Sequence, residues 1–381
     1  MKKGRLIKRI FISFLLAVVA FSSAAFFVVV GFPTAKTRLN GDAFEFVSKL
    51  GVGMNLGNAL EAFGDADNGF EFETGWGNAK VTAQTAAALS SAGFGIVRIP
   101  VTWAQHIGAA PDYTIQAAWL GRVREVVDYF IDEGMYVIIN MHHDDYYWYI
   151  PDKKHEAATA LEYKALWGQI AEEFKDYDEH LIFEAFNEPR VTGSLTEWSG
   201  GTVSARGAVN RLNQKFVDTV RASGGNNPSR YLIVPSYAAS IEKIAVNGLT
   251  VPNDGRLIAA FHSYIPRAFS TDYDMGTTVW TAKHKKELEK KFALIDKLFI
   301  QKGVPVIFDE FAAYDKNNTE ERAKFAYDFV TEAQKYNIPC LWWDNGTNLT
   351  YTADNAYGIF DRNTNTFTYP TIVDAIIRAA K

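Results

Sequence analysis

Short apolar runs alternate with helix-like segments along almost the whole chain after residue 37, and this alternation is the strongest constraint on its fold. Strands that are buried on both faces have continuous apolar sequences, as in parallel sheets covered by helices. No Pro-, Gly- or Ser-rich linker, low-complexity tract or internal repeat divides the chain, so we expect a single domain. The predicted strands are 51–58, 95–103, 135–143, 181–188, 231–236, 257–264, 304–311 and 338–345.

Helical segments are predicted between these strands and after the last one. Eight strand–helix units in residues 37–381 indicate an α/β fold of the closed (β/α)8 barrel type, the TIM barrel. An open, doubly wound sheet is the alternative, but it would concentrate polar residues at one switch point, whereas here they follow many strands. The predicted helices lie near 81–92, 116–133, 156–176, 203–223, 239–246, 280–302, 319–336 and 370–380.

Polar and aromatic side chains stand at the ends of the predicted strands, where the loops of a barrel build the active site. Singly, each has an ordinary explanation, such as a buried ion pair for Arg98 or a ring that caps the barrel for either tryptophan. Those explanations do not account for their shared position. In chain order they are Asn55, Asn58, Arg98, His142, His143, Asp144, Asn187, Glu188, His262, Tyr264, Glu310, Trp342, Trp343, Asp344 and Asn345.

Two of the apolar runs end on a glutamate. The first contains Asn187, Glu188 and Pro189, and we expect Pro189 to stop the strand because proline cannot donate to a sheet ladder. The second run begins at Pro305 and ends on Glu310. An isolated Asn-Glu-Pro is as readily a polar turn, but two strand-end carboxylates are the pair that cleavage of a glycosidic bond requires.

Other kinds of catalytic site fit the sequence less well. His142, His143 and Asp144 have the residue types of metal ligands, but neighbouring strand residues point to opposite faces and are badly placed to bind one ion. We therefore expect no metal. A serine nucleophile is not indicated because Gly-x-Ser-x-Gly is missing, and Gly-rich phosphate loops are missing as well. No cofactor is predicted.

The first 36 residues differ from the rest of the chain. Five basic residues precede an uncharged apolar run from Ile10 to Phe32, which is the layout of a secretory signal or an uncleaved membrane anchor. The run is long enough to cross a bilayer, but residues 22–25 supply the small side chains that signal peptidase accepts, so we favour cleavage. Either way we expect export, to the extracellular space or to the outer side of the cytoplasmic membrane.

The net charge and the cysteine content of the chain limit the partners and sites that it can have. Residues 1–36 carry six basic side chains and no acidic one, so the remainder has 33 Lys and Arg against 44 Asp and Glu, a formal charge of −11. A nucleic-acid partner is therefore not expected. Cys340 is the only cysteine, which excludes an internal disulfide and a cysteine-based metal site. We expect a monomer that contacts a membrane only through an uncleaved N-terminal segment.

Several short motifs resemble those of one known family. The chain from residue 45 to 381 resembles glycoside hydrolase family five, a family of retaining (β/α)8 enzymes that includes endoglucanases. The His-His-Asp and Trp-Trp-Asp-Asn-Gly sequences are similar to its subfamily four, which contains cellulases, lichenases and xyloglucanases. The motifs are Gly53–Asn58, Val97–Trp103, Asn140–Asp144, Phe186–Pro189, Phe261–Tyr264, Phe308–Phe311 and Trp342–Gly346.

The resemblance implies roles for individual residues, with Glu188 as the general acid/base and Glu310 as the nucleophile. Arg98 and the Tyr264 hydroxyl are expected to keep Glu310 ionised. Asn187 is expected to hold the sugar 2-hydroxyl. The other residues expected to bind the substrate or support the site are His142 and His262, which position hydroxyls and the acid/base, together with Asn55, His143 and the stacking ring Trp343, for which Trp342 is the alternative.

The implied activity is retaining, endo-acting hydrolysis of β-1,4-glucosidic bonds in cellulose, mixed-linkage glucan and xyloglucan, with the β-glucan as the partner. An endo-β-mannanase and a xyloglucan-specific hydrolase are alternatives on the same scaffold. A non-catalytic glucan-binding protein would be expected to lose one carboxylate, and a cell-wall structural protein would show repeats or a linker. The aromatic loop Asp145–Ile150 is open to three interpretations: glucose-stacking subsites, a groove for xylose-branched chains, or packing.

Overall fold

The computed structural model describes residues 41–65, 71–272, 274–346 and 356–381. It contains a closed barrel of eight parallel strands, as predicted, in which β1 pairs with β2 on one side and with β8 on the other. The fold is a single (β/α)8 barrel. Its strands are β1 (Val52–Asn55), β2 (Ile96–Ile99), β3 (Tyr136–Asn140), β4 (Leu181–Glu184), β5 (Leu232–Ser240), β6 (Leu257–His262), β7 (Val306–Phe311) and β8 (Cys340–Trp342).

Helices surround the barrel, and a small antiparallel pair of strands, β9 (Phe360–Asp361) and β10 (Thr366–Phe367), precedes the last helix. None of the helices in the described ranges is long and apolar enough to cross a membrane. The segment predicted as a signal or anchor lies outside those ranges. The helices are α1 (Gly41–Leu50), α2 (Ala83–Ala92), α3 (Ala117–Asp132), α4 (Glu156–Glu173), α5 (Val203–Arg221), α6 (Lys243–Val246), α7 (Arg267–Ser270), α8 (Ala282–Leu298), α9 (Thr319–Gln334) and α10 (Pro370–Ala379).

Most strands end earlier than the sequence predicts, and β1, β3, β4 and β6 each end on a polar residue. β4 ends at Glu184, so the prediction that Pro189 stops this strand is wrong. The chain beyond it is held by separate backbone bonds, in which the Asn187 amide donates to the carbonyl of Met141. β5 differs in the other direction, since it continues through a register shift between Pro235 and Ser240.

Aliphatic side chains from alternate strand positions fill the barrel interior and form its apolar inner layer, to which β6 contributes both Ile258 and Ala260. Ile96, Ile138 and Ile182 belong to this inner cluster, whereas their neighbours Val97, Val137 and Phe183 pack outwards against the helices. This alternation fixes the inward positions along each strand. The remaining strand residues of the inner layer are Ile233, Ile258, Ala260, Ile307 and Leu341.

Helix α1, which the sequence analysis missed, belongs to the same inner cluster. Ala43, Phe46, Val47 and Leu50 form its buried face. The Phe46 ring stacks on Tyr231, just before β5, with 3.6 Å between ring centroids. Tyr231 precedes a strand in the chain, so α1 covers the end of the barrel opposite the carboxyl ends of the strands. The helix thus shields the inner layer from water.

This packing makes Phe46 important for stability. We expect Phe46→Ala to lower the free energy of unfolding by about 3–5 kcal/mol, because a fully buried ring is replaced by a cavity. Urea denaturation measures the change. Ser48→Ala is the matched control, since Ser48 lies on the exposed face of the same helix and should shift stability by less than about 0.5 kcal/mol. Equal effects of the two substitutions would show that α1 does not close the barrel.

Candidate active site

A bulge in β7 brings two neighbouring acidic residues into one site. Ala260 of β6 pairs with Ile307 of β7, but His262 pairs with Glu310, so β7 contains one extra residue between these pairs. An extra residue breaks the alternation of side chains and redirects one of them, as bulges beside active sites commonly do. Asp309 and Glu310 both reach the buried polar cluster at the carboxyl end of the barrel as a result.

Arg98, at an inward position of β2, is the centre of this cluster, and its guanidinium is fully buried. Nη1 donates to Glu310 Oε1 at 2.6 Å and to Asn55 Oδ1 at 3.0 Å. Nε and Nη2 donate to the two carboxylate oxygens of Glu184 at 2.6 and 2.9 Å, and Nη2 also donates to Asn187 Oδ1 at 2.9 Å. All five N–H donors of the side chain are therefore used.

Glu310 receives hydrogen bonds on both carboxylate oxygens. Arg98 donates to Oε1, and the Tyr264 hydroxyl donates to Oε2 at 2.8 Å. The predicted contacts of these two residues with Glu310 are thus present. Burial raises the pKa of Glu310 above its ordinary value, while His262, Arg98 and Tyr264 oppose that rise. Because it has two direct donors, Glu310 is better suited than Glu188 to bear a negative charge.

Glu188 lies in a different environment. Its side chain is 19% exposed, and its carboxylate approaches Arg190 no closer than 3.9 Å. His262 contributes the short contact, with 2.9 Å between Nδ1 and Glu188 Oε1. Burial raises the pKa of Glu188, and the charges of Arg190 and Arg98 oppose this. Glu188 therefore has weaker stabilisation of its charged form than Glu310, which suits a group that must hold a proton.

The distance between these two carboxyl groups limits the chemistry that they can perform. One oxygen of Glu188, one of Glu310 and a ring nitrogen of His262 all lie within 4.8 Å of one another. Retaining glycosidases hold their two carboxyl groups about 5–5.5 Å apart, whereas inverting enzymes need about 6.5–9.5 Å to admit a water molecule between them. The separation fits direct attack by one carboxylate.

His142 and His143 lie beyond the end of β3, so the argument that they point to opposite faces of a strand does not apply. Their rings are in edge contact, with 4.5 Å between centroids. Burial lowers the pKa of His143 to about 3 and that of His142 well below its ordinary value, so both rings are neutral at pH 7. His142 Nδ1 lies 3.2 Å from the side-chain amide of Asn140.

The structure distinguishes between the two tryptophans after β8. Trp342 is fully buried and donates its indole N–H to the Tyr357 carbonyl, so it belongs to the core. Trp343 is partly exposed and lies parallel to the His142 ring, with 5.6 Å between centroids. Gly57 borders the same indole so closely that a Cβ there would lie 2.7 Å from it. Trp343 is therefore the ring that is presented to the cleft.

The loop Asp145–Ile150 has two parts. Its inner residues are structural: Asp145 forms an ion pair with Arg190 at 2.9 Å, and Tyr149 packs on Phe186. Tyr146 and Tyr147, in contrast, are 52% and 45% exposed. Both tyrosines border Phe63, which also contacts Trp76 and His143. Asp145 and Tyr149 thus anchor one part of the loop beside Glu188. Tyr146 and Tyr147 form an aromatic wall together with Phe63 and Trp76.

Sequence reasoning missed three charged residues of this site. Glu184 and Asp309 are fully buried within strands that were read only as apolar runs. Arg190, which is also buried, binds the Glu188 backbone carbonyl, Asp145 and Glu197. The sequence does carry a signal for them, because a charged residue inside an apolar strand is seldom buried without a partner. The identity of the partner cannot be inferred from the sequence, since Glu184 and Arg98 are 86 residues apart in the chain.

Two groups of acidic and histidine side chains have the spacing of metal ligands: Glu184, His262 and Asp309, and Glu188, His262 and Glu310. Neither includes His142 or His143. In the first group Arg98 already binds both oxygens of Glu184, and in the second it binds Glu310. A cation at either position would lie beside a buried guanidinium, so the arrangement favours protons over a metal. The expectation that the reaction needs no metal stays a prediction.

Comparisons with known proteins agree with this geometry. Residues 60–349 match the family described as Cellulase (glycosyl hydrolase family 5). Endoglucanase A of Ruminococcus albus is 44% identical over 344 residues, which cover 89% of this chain and 93% of that protein. A solved GH5-4 broad specificity endoglucanase from Clostridium acetobutylicum is 45% identical with a TM-score of 0.84, covering 88% of this chain and 99% of that one.

A second solved structure, a family 5 lichenase from Caldicellulosiruptor sp. F32, is 38% identical with a TM-score of 0.84, covering 90% of this chain and 96% of its own. These similarities extend over the barrel and over the strand ends that carry the two glutamates. With its fold, its paired carboxyl groups and these relatives, the chain belongs to glycoside hydrolase family five and is a glycoside hydrolase of the endoglucanase type.

Proposed function

We propose that this protein cleaves internal β-1,4-glucosidic bonds with retention of anomeric configuration, using Glu310 as nucleophile and Glu188 as general acid/base. The observation that carries this proposal is the separation of the two carboxyl groups, whose oxygens approach within 4.8 Å. The division of roles follows from their partners. Glu310 accepts hydrogen bonds from Arg98 and Tyr264, and Glu188 accepts none from a permanently charged group within normal hydrogen-bond distance.

In the first step, the Glu310 carboxylate attacks the anomeric carbon while Glu188 protonates the departing glycosidic oxygen. The covalent bond forms at one Glu310 oxygen, and the leaving sugar takes the proton of Glu188. In the second step, the now ionised Glu188 removes a proton from water, which displaces Glu310 and releases the sugar. Asn187 is held by Arg98 through its amide oxygen, so its NH2 group is oriented to bind a sugar hydroxyl.

The aromatic side chains support a glucan substrate. Trp343 offers a ring to the sugar at the cleavage point, backed by His142. The wall formed by Phe63, Trp76, Tyr146 and Tyr147 extends this apolar surface along the loops. Related structures were solved with cellotriose, including a GH5 xyloglucan-specific endo-β-1,4-glucanase from a metagenomic library that is 40% identical. We therefore propose cellulose-type and mixed-linkage glucans as substrates, with xyloglucan as a further one.

A substrate panel tests this proposal. We expect reducing ends to be released from carboxymethylcellulose, barley mixed-linkage glucan and xyloglucan, and viscosity to fall early because internal bonds are cut. Mannan and xylan are the comparison substrates. Preference for mannan would favour the mannanase alternative, and activity confined to xyloglucan would favour the xyloglucan-specific one. Release of single glucose units only, or no activity on any of these polymers, would contradict the endoglucanase proposal.

Substitution of the two glutamates separates their roles. We expect Glu310→Gln to abolish turnover of every substrate, because no covalent intermediate forms without the carboxylate. Glu188→Gln should slow polysaccharide cleavage by roughly 10²–10⁴-fold, the usual contribution of a general acid, yet still react with an aryl glycoside whose phenolate leaves unaided. Water activation then becomes slow, so the intermediate should accumulate with a burst of phenolate.

Intact-protein mass spectrometry detects that intermediate. The matched control is Glu173→Gln, which removes a carboxylate from an ion pair with Arg124 on the outside of the barrel and should leave the kinetics unchanged. A covalent adduct on the Glu310→Gln protein, or a product of inverted configuration from the wild type by proton NMR, would show that the roles are assigned wrongly.

We also propose that the enzyme acts outside the cytoplasm as a monomer. The basic residues and apolar run of residues 1–36 support export, and the substrates are polymers that do not enter cells. N-terminal sequencing of protein from the culture medium tests cleavage, and light scattering of the same sample tests the oligomeric state. Intact Met1 in the membrane fraction would show that the segment is an anchor.

A further inference from the structure

A carboxyl group that the mechanism above does not use lies next to the nucleophile. Asp309 is fully buried, and both of its side-chain oxygens lack a hydrogen-bond partner. Buried polar atoms without partners are rare in native proteins, so each one needs a physical explanation. An ionised carboxylate at this position would have lost its hydration and gained no donor from another residue in return.

The surrounding charges also disfavour ionisation of Asp309. Arg98 has the opposite charge, but its five N–H donors are already used by Glu184, Glu310, Asn55 and Asn187. Glu184 and Glu310 both place negative charge close by. Burial and the charge of Glu184 raise the pKa of Asp309 well above its ordinary value, and the opposing effect of Arg98 is smaller. Burial and the neighbouring negative charges therefore both favour the neutral, protonated form of Asp309.

A neutral Asp309 has a proton to donate, and an unpartnered acceptor faces it. Nε2 of His262 is buried without a partner and lies 3.6 Å from Asp309 Oδ1. That distance exceeds a normal hydrogen bond by roughly 0.5 Å, which a small rotation of the Asp309 side chain removes. One proton on Oδ1 then provides a partner for two of the unpartnered buried atoms.

The other side of the His262 ring determines which tautomer fits. Nδ1 lies 2.9 Å from Glu188 Oε1 and 3.3 Å from Glu310 Oε2. Glu310 must be ionised to attack, and a carboxylate oxygen is repelled by the lone pair of an unprotonated nitrogen. Nδ1 therefore carries the hydrogen. Burial lowers the pKa of His262 to about 4, so the ring is neutral and Nε2 is left as an acceptor.

We propose that Asp309 remains protonated in the working enzyme and donates a hydrogen bond to Nε2 of His262, which fixes the Nδ1–H of that ring on Glu188 and Glu310. Asp309 is in this sense a positioning residue. The arrangement is the reverse of a serine-protease triad, in which an ionised aspartate accepts a hydrogen bond from its histidine. Its benefit is that the ring cannot accept the proton that Glu188 must deliver to the leaving oxygen.

Neutron diffraction on the wild-type enzyme tests this inference without any substitution. We expect deuterium on an Asp309 oxygen and on Nδ1 of His262, with none on Nε2. Deuterium on Nε2 opposite a bare Asp309 carboxylate would overturn the proposal. So would a water or a metal ion bound between the two side chains.

Two substitutions of similar size give a kinetic test. Asp309→Asn can still donate from its amide, so we expect kcat within about threefold of the wild-type value. Asp309→Leu has no donor and should lower kcat roughly 10–100-fold, the usual effect of removing a partner that orients a functional side chain, with little change in KM. If Asn is as damaging as Leu, the negative charge of Asp309 is what matters, and the proposal is wrong.

The kinetic test rests on the proposed function, whereas the neutron measurement does not. An inactive wild type with the expected deuterium positions would contradict only the proposed function. An active wild type with deuterium on Nε2 would contradict only the role of Asp309. If Asp309→Leu fails to fold, the neutron result and the kcat of Asp309→Asn still test the proposed role of Asp309.

Discussion

The buried guanidinium of Arg98 is the interaction on which the rest of the site depends. Its five donors form a rigid fork directed at four groups from different parts of the chain: β1, β4, which receives two of the bonds, the segment after β4, and β7. Removing a charge of this kind from water is costly unless every donor is matched. The barrel meets that condition by placing two carboxylates and two amides around one cation, and this sets the position of Glu310.

The bulge in β7 explains how neighbouring residues acquire different functions. In a regular strand, Asp309 would face the interior and Glu310 the helices, as Ile307 and Phe308 do. The extra residue pairs Glu310 with His262 and leaves Asp309 Oδ1 3.6 Å from Nε2 of the same histidine. Glu310 is then reached by Arg98 and Tyr264, while Asp309 is enclosed without a donor. One irregularity in the ladder therefore gives the proposed nucleophile Glu310 and the proposed neutral acid Asp309 different surroundings.

Much of the fold and of the site could be predicted from the sequence, because apolar strand segments and the polar residues at their ends are local features. The barrel, the proximity of Glu188 and Glu310, and the contacts of Arg98 and Tyr264 with Glu310 were predicted. Helix α1 was missed because a short segment with four buried side chains has a weak pattern when it is read alone. The choice between Trp342 and Trp343 needed the register of β8. Glu184 and Asp309 were not predicted as site residues because the residues that surround them are distant in sequence and become adjacent only after the barrel has closed.

The stability of the barrel and the chemistry at its rim are coupled through a change of polarity along three of the strands. Ile96 is followed two residues later by Arg98, Ile182 by Glu184, and Ile307 by Asp309, so on these strands the inward positions change from an apolar side chain to a charged or acidic one. The aliphatic layer and helix α1 keep water from reaching the site from below, and without water the interactions of Arg98 are poorly screened. The same burial raises the pKa of Glu188 and of Glu310. A site that needs one carboxyl group protonated and another ionised must therefore distribute its donors unequally, and the fold does so by placing Arg98 and Tyr264 on Glu310 and no permanently charged donor within hydrogen-bond distance of Glu188.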